Sequence, residues 1–228
     1  MRPIPTLRTA RGFTLVELAI VLTIVALLTG GLLLGVSAQR EAAGNVDAQR
    51  QLENIREALL GFAISNGRLP CPALPNLPSS NANAGVENCA QPHGVLPWAT
   101  LGLPQTDPWG QRFTYFANSN FTAAVPPGAL ASFNLTTIGN ANIKESGSST
   151  ANLASDLPVV IVSHGNRSAG GWKPDGTQQP GAIGDEAENA DADLTFIART
   201  PSDTFDDLVI WIAPSILKSK MVAAGRLP

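Results

Sequence analysis

The chain has 228 residues and a formal charge of −3, with 44% hydrophobic and 14% charged residues. Once the three arginines of the first 12 residues are set aside, 12 Lys and Arg remain against 18 Asp and Glu. This acidic balance argues against a broad nucleic-acid-binding surface, because binding to phosphates needs clustered basic side chains. The length suffices for one globular domain of about 190 residues with its own core.

The first 12 residues form a basic leader that ends in Arg11-Gly12, and Phe13 follows directly. Residues 18–36 contain neither a charge nor a proline. We predict that the segment 13–36 is a helix, long enough to cross the ~30 Å hydrocarbon core of a membrane when tilted. The leader's arginines place the N-terminus in the cytoplasm by the positive-inside rule.

Glu17 is the one carboxylate in this otherwise uncharged segment. A carboxylate within a membrane helix is costly, which points to a function. One interpretation is a side chain that reaches back to the membrane interface. The other is a pair with a positive charge from a neighbouring subunit. If the chain is cut after Gly12, Phe13 acquires a free α-amine that supplies this charge, and a buried pair fixes the register between subunits.

Residues 12–18 read GFTLVEL. This run resembles the prepilin cleavage and methylation motif of type IV pilins and type II secretion pseudopilins. The resemblance implies cleavage after Gly12 by a prepilin peptidase, N-methylation of Phe13, and docking of Glu17 on a neighbour's N-terminus during filament assembly. It also implies a single-pass inner-membrane protein with a cytoplasmic N-terminus and a periplasmic domain, which then enters a pilus or pseudopilus with other subunits.

We predict that the helix continues through residues 37–65, which contain no proline and are rich in helix-forming residues. Apolar residues recur there at spacings of three and four. This half of the helix is therefore amphipathic, and its apolar face packs on the domain. The apolar stripe consists of Ala48, Leu52, Ile55, Leu59, Phe62 and Ala63. Asn66-Gly67 is a stop signal for the helix.

Cys71 and Cys89 lie in a long stretch rich in proline and asparagine. In an exported domain, two cysteines close in sequence predict a disulfide bond. The alternatives are two free thiols or a metal site that also uses His93. A disulfide would hold the loop from Leu69 to Trp98 in an ordered conformation.

Apolar segments after this loop predict the strands of a small antiparallel sheet. They are residues 112–117, 133–138, 157–163 and, within the run 205–212, residues 208–212, of which the last two are expected to be buried. We expect a mobile loop at 144–155 and a short helix at 215–224. A turn at Asp107-Pro108-Trp109-Gly110 precedes the first strand. This turn, with the Tyr-bearing strand after it, resembles the major pseudopilin of type II secretion.

An acidic loop spans residues 185–193, with five carboxylates in nine residues. Hard cations such as calcium need six to eight oxygen ligands, and a loop of this kind offers them. The segment resembles the calcium-binding loop of the major pseudopilin, which implies Asp185, Glu188, Asp191 and Asp193 as ligands. The alternative is a solvated acidic turn without a metal.

Adjacent Ser163 and His164 raise the alternative of a hydrolase, with Asp203 or Asp206 as third member. Neighbouring side chains at a strand end point to opposite sides, and no Gly-x-Ser-x-Gly elbow is present. We therefore do not expect an enzyme. The glycine-rich run 165–171 lacks the Gly-Lys-Ser/Thr ending of a phosphate loop.

The predicted fold class is α+β, with a long N-terminal helix packed on a small antiparallel sheet with long loops. The expected segments are a leader (1–12), a transmembrane and assembly helix (13–36), an amphipathic helix (37–66) and a periplasmic pilin-like β domain (67–228). The predicted function is a structural subunit of a type IV pilus-like filament or type II secretion pseudopilus. The alternative is a minor pilin that acts at a filament tip in adhesion, in DNA uptake or in binding another partner.

Overall fold

The structure is a computed structural model that describes residues 13–228, apart from the side chains of residues 29–38. The predicted leader, with Gly12, lies outside the described residues. The chain divides into two units, Met1–Ala43 and Gly44–Pro228.

Helix α1 runs from Leu15 to Asn66. It ends where the sequence predicts, because Gly67 takes the left-handed backbone conformation at φ 72° and its N–H donates to Ala63 O. In the second half of α1, five of the six residues in the apolar stripe are buried, and Phe62 is partly buried. Among the described helices, none combines the length and the apolar character that a membrane crossing requires.

The described elements after α1 are β1 (His93–Val95), α2 (Trp98–Leu101), β2 (Thr114–Ala117), α3 (Ser119–Thr122), β3 (Ala141–Lys144), β4 (Asn152–Leu157), β5 (Val159–Ser163), α4 (Asp185–Glu188), β6 (Thr195–Ile197), β7 (Leu208–Ile212) and α5 (Pro214–Ala223). They build two sheets, with strand orders β1-β2-β5-β7 and β4-β3-β6. The predicted α+β class is confirmed. The strands pair antiparallel except β3 with β6, which are parallel.

Two apolar clusters form the interior of the Gly44–Pro228 unit. The larger one joins the buried face of α1 to β2, β5 and α5, and it extends from Leu52 to Leu227. The smaller one lies between the two sheets and includes Phe116 and Phe196. Both clusters consist entirely of residues after Gly44, so this unit has the core that it needs to fold on its own.

The turn at Asp107 joins the sheet to α1. The buried Asp107 carboxylate accepts hydrogen bonds from Trp109 N–H at 3.0 Å and from Gln111 N–H at 2.9 Å, which is the side-chain mimicry that favours aspartate in turns. The ring of Trp109 packs against Gly44 so closely that a Cβ there would lie 3.1 Å from it. Burial raises the pKa of Asp107, and a hydrogen bond from Ser163 opposes this shift.

Three sequence expectations about the sheet are wrong. Residues 133–138 form turns instead of a strand. The loop predicted at 144–155 is shorter, because Lys144 ends β3 and residues 152–155 belong to β4, which leaves 145–151 between the strands. The last strand has its predicted bounds, Leu208–Ile212, but it is only partly buried, because it lies at the edge of its sheet. The bounds and burial of a strand depend on which strands it pairs with, and these partners are distant in the sequence.

Candidate functional site

The start of α1 is held by a reciprocal pair of hydrogen bonds between Thr14 and Glu17. The Glu17 carboxylate accepts from Thr14 N–H at 3.0 Å and from the Thr14 hydroxyl at 2.9 Å, while Glu17 N–H donates to Thr14 Oγ1 at 3.2 Å. This is a capping box, which satisfies two N–H groups that the helix leaves free. The signal was present in the sequence, since Thr-x-x-Glu before an apolar run is its signature.

The first turns of α1 expose apolar side chains on every side. Phe13 is 83% exposed and Leu15 is 87% exposed. The other exposed large apolar residues up to residue 28 are Val16, Leu18, Ile20, Val21, Leu22, Ile24, Val25, Leu27 and Leu28. A continuous apolar surface of this kind is stable only when lipid or other protein covers it.

Sequence comparison identifies the segment that contains this helix start. Residues 7–33 match the prokaryotic N-terminal methylation motif. The chain carries the signature of type IV pilins and pseudopilins. The comparison with curated proteins gave no significant match, and neither did the comparison with solved structures.

The methylation motif covers all three N-terminal residues to which the sequence assigns a role. Gly12 lies outside the described residues, Phe13 is exposed immediately before α1, and Glu17 lies within the first turn. The motif is typical of chains that a prepilin peptidase processes and that assemble with other pilin subunits. Glu17 is hydrogen-bonded within its own chain in the described protomer.

Cys71 and Cys89 form a disulfide, so neither sulfur is free to bind a metal with His93. The loop is held at a second point by Arg68, whose guanidinium donates to both oxygens of the Glu87 carboxylate at 2.8 and 2.7 Å. The same carboxylate accepts from Cys71 N–H at 3.0 Å. The hydrogen bonds from Arg68 hold the pKa of Glu87 below its ordinary value. The long loop is therefore ordered, as predicted.

The acidic loop brings three of its four candidate ligands together. Carboxylate oxygens of Glu188, Asp191 and Asp193 lie within 4.8 Å of one another. Asp185 is engaged elsewhere, because its carboxylate pairs with Arg199 Nε at 3.1 Å and accepts from Gly147 N–H at 2.9 Å.

The three clustered carboxylates repel one another. Desolvation and the charges of Asp191 and Asp193 raise the pKa of Glu188, and the charge of Lys144 opposes this shift. No ion pair joins Glu188, Asp191 or Asp193 to a basic residue in the part of the chain that the structure describes. The donor set fits a hard cation, which prefers carboxylate oxygens and would relieve this repulsion.

A second acidic cluster, of Glu186, Asp206 and Asp207, lies deeper in the domain. The side chain of Arg167 already lies where a metal ion would bind to this cluster. The Arg167 guanidinium bonds to Glu186 and lies 3.6 Å from Asp206 Oδ1, and the backbone N–H of Arg167 donates to Asp206 Oδ2 at 2.7 Å. The arginine supplies the positive charge that buried carboxylates need.

Ser163 and His164 are both fully buried and bind different partners. The Ser163 hydroxyl donates to Asp107 Oδ2 at 2.7 Å. His164 Nε2 lies 2.8 Å from the Thr114 hydroxyl, and its Nδ1 lies 3.6 Å from Asp207 Oδ1. The hydrolase alternative required Ser163 beside His164, with Asp203 or Asp206 behind it, and neither contact is present. Sequence gives no signal for these pairings, because they join residues about 50 positions apart.

An open cavity of about 350 Å³ lies beside the acidic loop. Three of its lining residues carry aromatic rings, namely His93, Trp172 and Phe196, and Asp191 adds a carboxylate. Burial lowers the pKa of His93, while the charge of Asp193 opposes this shift. Aromatic walls with a few polar groups are typical of binding sites.

Proposed function

We propose that this protein is a structural subunit of a type IV pilus-like filament or a type II secretion pseudopilus. The observation that carries the proposal is the methylation motif at residues 7–33. The uniformly apolar surface of the first turns of α1 supports it, because such a surface packs against lipid before assembly and against neighbouring helices afterwards. A folded domain after Gly44 would then face the outside of the filament.

Within this proposal, Glu17 exchanges its capping bond for a charge pair during assembly. Cleavage after Gly12 converts Phe13 N into a charged amine. The Glu17 carboxylate of one subunit then binds the amine of the next, and each removes the desolvation cost of the other. The capping box keeps the carboxylate satisfied until that partner arrives.

The variant Glu17→Gln tests this function, with Glu41→Gln as the matched control on the exposed side of the same helix. Co-expressed with a prepilin peptidase, the wild type and both variants should lose residues 1–12 and gain N-methyl-Phe13, as read by mass spectrometry. Only Glu17→Gln should then fail to enter sheared filaments. An uncleaved wild-type chain, or normal filament entry by Glu17→Gln, would contradict the proposal.

We further propose that Glu188, Asp191 and Asp193 bind calcium. Their mutual distances and the absence of an ion-pair partner among the described residues support this site. Asp185 is set aside as a ligand because it pairs with Arg199. A calcium site and the Asp107-to-Gly110 turn both resemble the major pseudopilin, which favours a secretion pseudopilus over a motility pilus.

Calcium titration of residues 44–228 tests the metal site through the melting temperature. At 100 times the dissociation constant, calcium should raise the Tm by roughly 5–10 °C for a domain of this size. Asp191→Asn/Asp193→Asn should abolish the rise, whereas Asp175→Asn, at another exposed aspartate, should keep it. An equal response in all three proteins, or none in the wild type, would rule out calcium binding by these residues.

A second candidate role is recognition by a minor subunit at a filament tip. The cavity formed by His93, Trp172 and Phe196 is the observation that favours it, since a subunit buried along a filament has no need of an open ring-lined cavity. Subunit stoichiometry separates the two roles. A structural subunit is present in many copies per filament, and a tip subunit in a few.

A further inference from the structure

The cavity beside the acidic loop has an aromatic wall next to a carboxylate. Trp172 and His93 are half-buried and line it together with the exposed Asp191. The His93 ring lies 4.8 Å from the ring of Phe116, which in turn lies 6.1 Å from the ring of Phe196. Packed rings of this kind are held in place by one another, so the wall is preformed for a ligand.

The charge of this cavity is negative. Carboxylate oxygens of Glu188 and Asp193 lie within 4.8 Å of that of Asp191. Among the described residues that line the cavity there is neither a lysine nor an arginine. Burial lowers the pKa of His93, so its ring is neutral at pH 7 and supplies no positive charge. The cavity therefore attracts a cationic ligand.

The same domain shows in two places how it holds an arginine side chain. Arg199 Cζ lies 4.6 Å from the centre of the Phe205 ring, and Arg199 Nε lies 3.1 Å from the Asp185 carboxylate. Arg68 Cζ likewise lies 5.4 Å from the centre of a phenylalanine ring, and its guanidinium bonds to both oxygens of Glu87. A guanidinium suits such a pair of groups, because it stacks on rings and donates in a fork to carboxylates.

The cavity presents this pair of groups in Trp172 and Asp191. None of the described arginines stacks on the Trp172 ring, and none pairs with Asp191. A guanidinium from outside the domain would find a ring and a carboxylate that no cation of the described chain uses. Lysine fits less well, since its strongly hydrated ammonium neither stacks nor forks.

Arg40 is the arginine of this chain that remains for the role. It is exposed on α1. Of the arginines that the structure describes, it is the one for which neither a hydrogen bond nor an ion pair is seen. Its neighbour Glu41 lies about 100° further round the helix, so the two side chains point in different directions.

We propose that the cavity binds the Arg40 side chain of a second copy of this chain, with the guanidinium stacked on Trp172 and paired with Asp191. This contact rests on the proposed function, because it needs two subunits side by side in a filament. Each subunit offers its cavity to one neighbour and its Arg40 to another. Such a heterologous contact extends a filament instead of closing a dimer. It gives the cavity a use along the filament, in place of recognition at a tip.

The contact does not require calcium and is compatible with it. A calcium ion bound to Glu188, Asp191 and Asp193 would leave one of the three negative charges uncompensated. The arginine then meets a weaker negative potential, but not a positive one.

Peptide titration of residues 44–228 tests the cavity without a filament. The probe is a capped peptide of residues 37–46, and the control peptide carries citrulline, the uncharged isostere of arginine, in place of Arg40. The arginine peptide should shift the indole N–H signal of Trp172 in an NMR spectrum, with a Kd of about 1 mM. Citrulline should weaken binding about tenfold. No shift at about 10 mM peptide, or equal shifts by both peptides, would overturn the proposal.

Two variants of the same domain test the carboxylate, both with a chelator and with calcium present. Asp191→Asn should weaken binding of the arginine peptide about tenfold. Asp175→Asn, at an exposed aspartate that does not line the cavity, should leave the Kd unchanged. Unchanged binding by Asp191→Asn would mean that the peptide binds elsewhere, against the proposal.

Sheared filaments of the full chain test the occupant. Arg40→Glu should lower the amount of subunit in filaments about tenfold, whereas Arg50→Glu, at another exposed arginine of α1, should not. Arg40→Glu/Asp191→Arg should restore assembly, because the reversed charges again face each other. Normal assembly of Arg40→Glu, or a double variant no better than the single one, would refute the contact. Filament formation by the wild type is read in parallel, so a failure of the proposed function is distinguished from a failure of this contact.

Discussion

Arg112→Met should lower the free energy of unfolding of residues 44–228 by roughly 3 kcal/mol, because it leaves three partly buried carbonyl groups without a donor. Arg112 is fully buried. Its Nη1 donates to Pro75 O and to Leu77 O, both at 2.8 Å, and its Nη2 donates to Pro174 O at 3.0 Å.

The guanidinium of Arg112 also lies 4.7 Å from the ring of Trp98. One side chain therefore holds two irregular segments, the disulfide loop and the segment after Trp172, against β2. Irregular segments rich in proline offer few backbone donors, so their carbonyls depend on a side chain of this kind. Removing it opens both segments at once.

Urea denaturation measures this loss, and Arg50→Met is the matched control. Arg50 is exposed on α1 and, among the described residues, pairs only with Asp47 at 3.5 Å, so its replacement should change stability by no more than about 0.5 kcal/mol. If Arg112→Met were as stable as Arg50→Met, water would be satisfying the carbonyls and Arg112 would not be holding these segments.

Cys71→Ala/Cys89→Ala should lower the free energy of unfolding of the same domain by roughly 3 kcal/mol in the chain-entropy model. The bond spans 18 positions and restricts the unfolded chain, which is the main source of its effect. Native contacts within the loop should survive, since Arg68 and Glu87 hold it independently.

The wild-type domain in a reducing agent is the control for the cysteine variant. Reduction should lower stability by the same amount, while leaving the stability of the double alanine variant unchanged. A variant within about 0.5 kcal/mol of the oxidised wild type would mean that the loop is restrained without the disulfide. A variant with a much lower free energy of unfolding than the reduced wild type would indicate lost packing around Cys71, which is fully buried.

Local chemistry explains what the sequence predicts correctly. The stop of α1 at Asn66-Gly67, its apolar stripe and the turn at Asp107 each depend on residues within a few positions of one another. The methylation motif and the disulfide also follow from short patterns. Cap and turn propensities act over such distances, so one sequence is sufficient to locate them.

Tertiary structure decided the remaining features, because their partners are far apart along the chain. The carboxylate of Asp185 pairs with Arg199, and the ring of His164 contacts Thr114 instead of Ser163. Hydrophobic patterning identifies a strand, yet it does not say which strands are neighbours. The apolar run of β7 therefore predicts a buried strand, whereas the sheet order places it at an open edge.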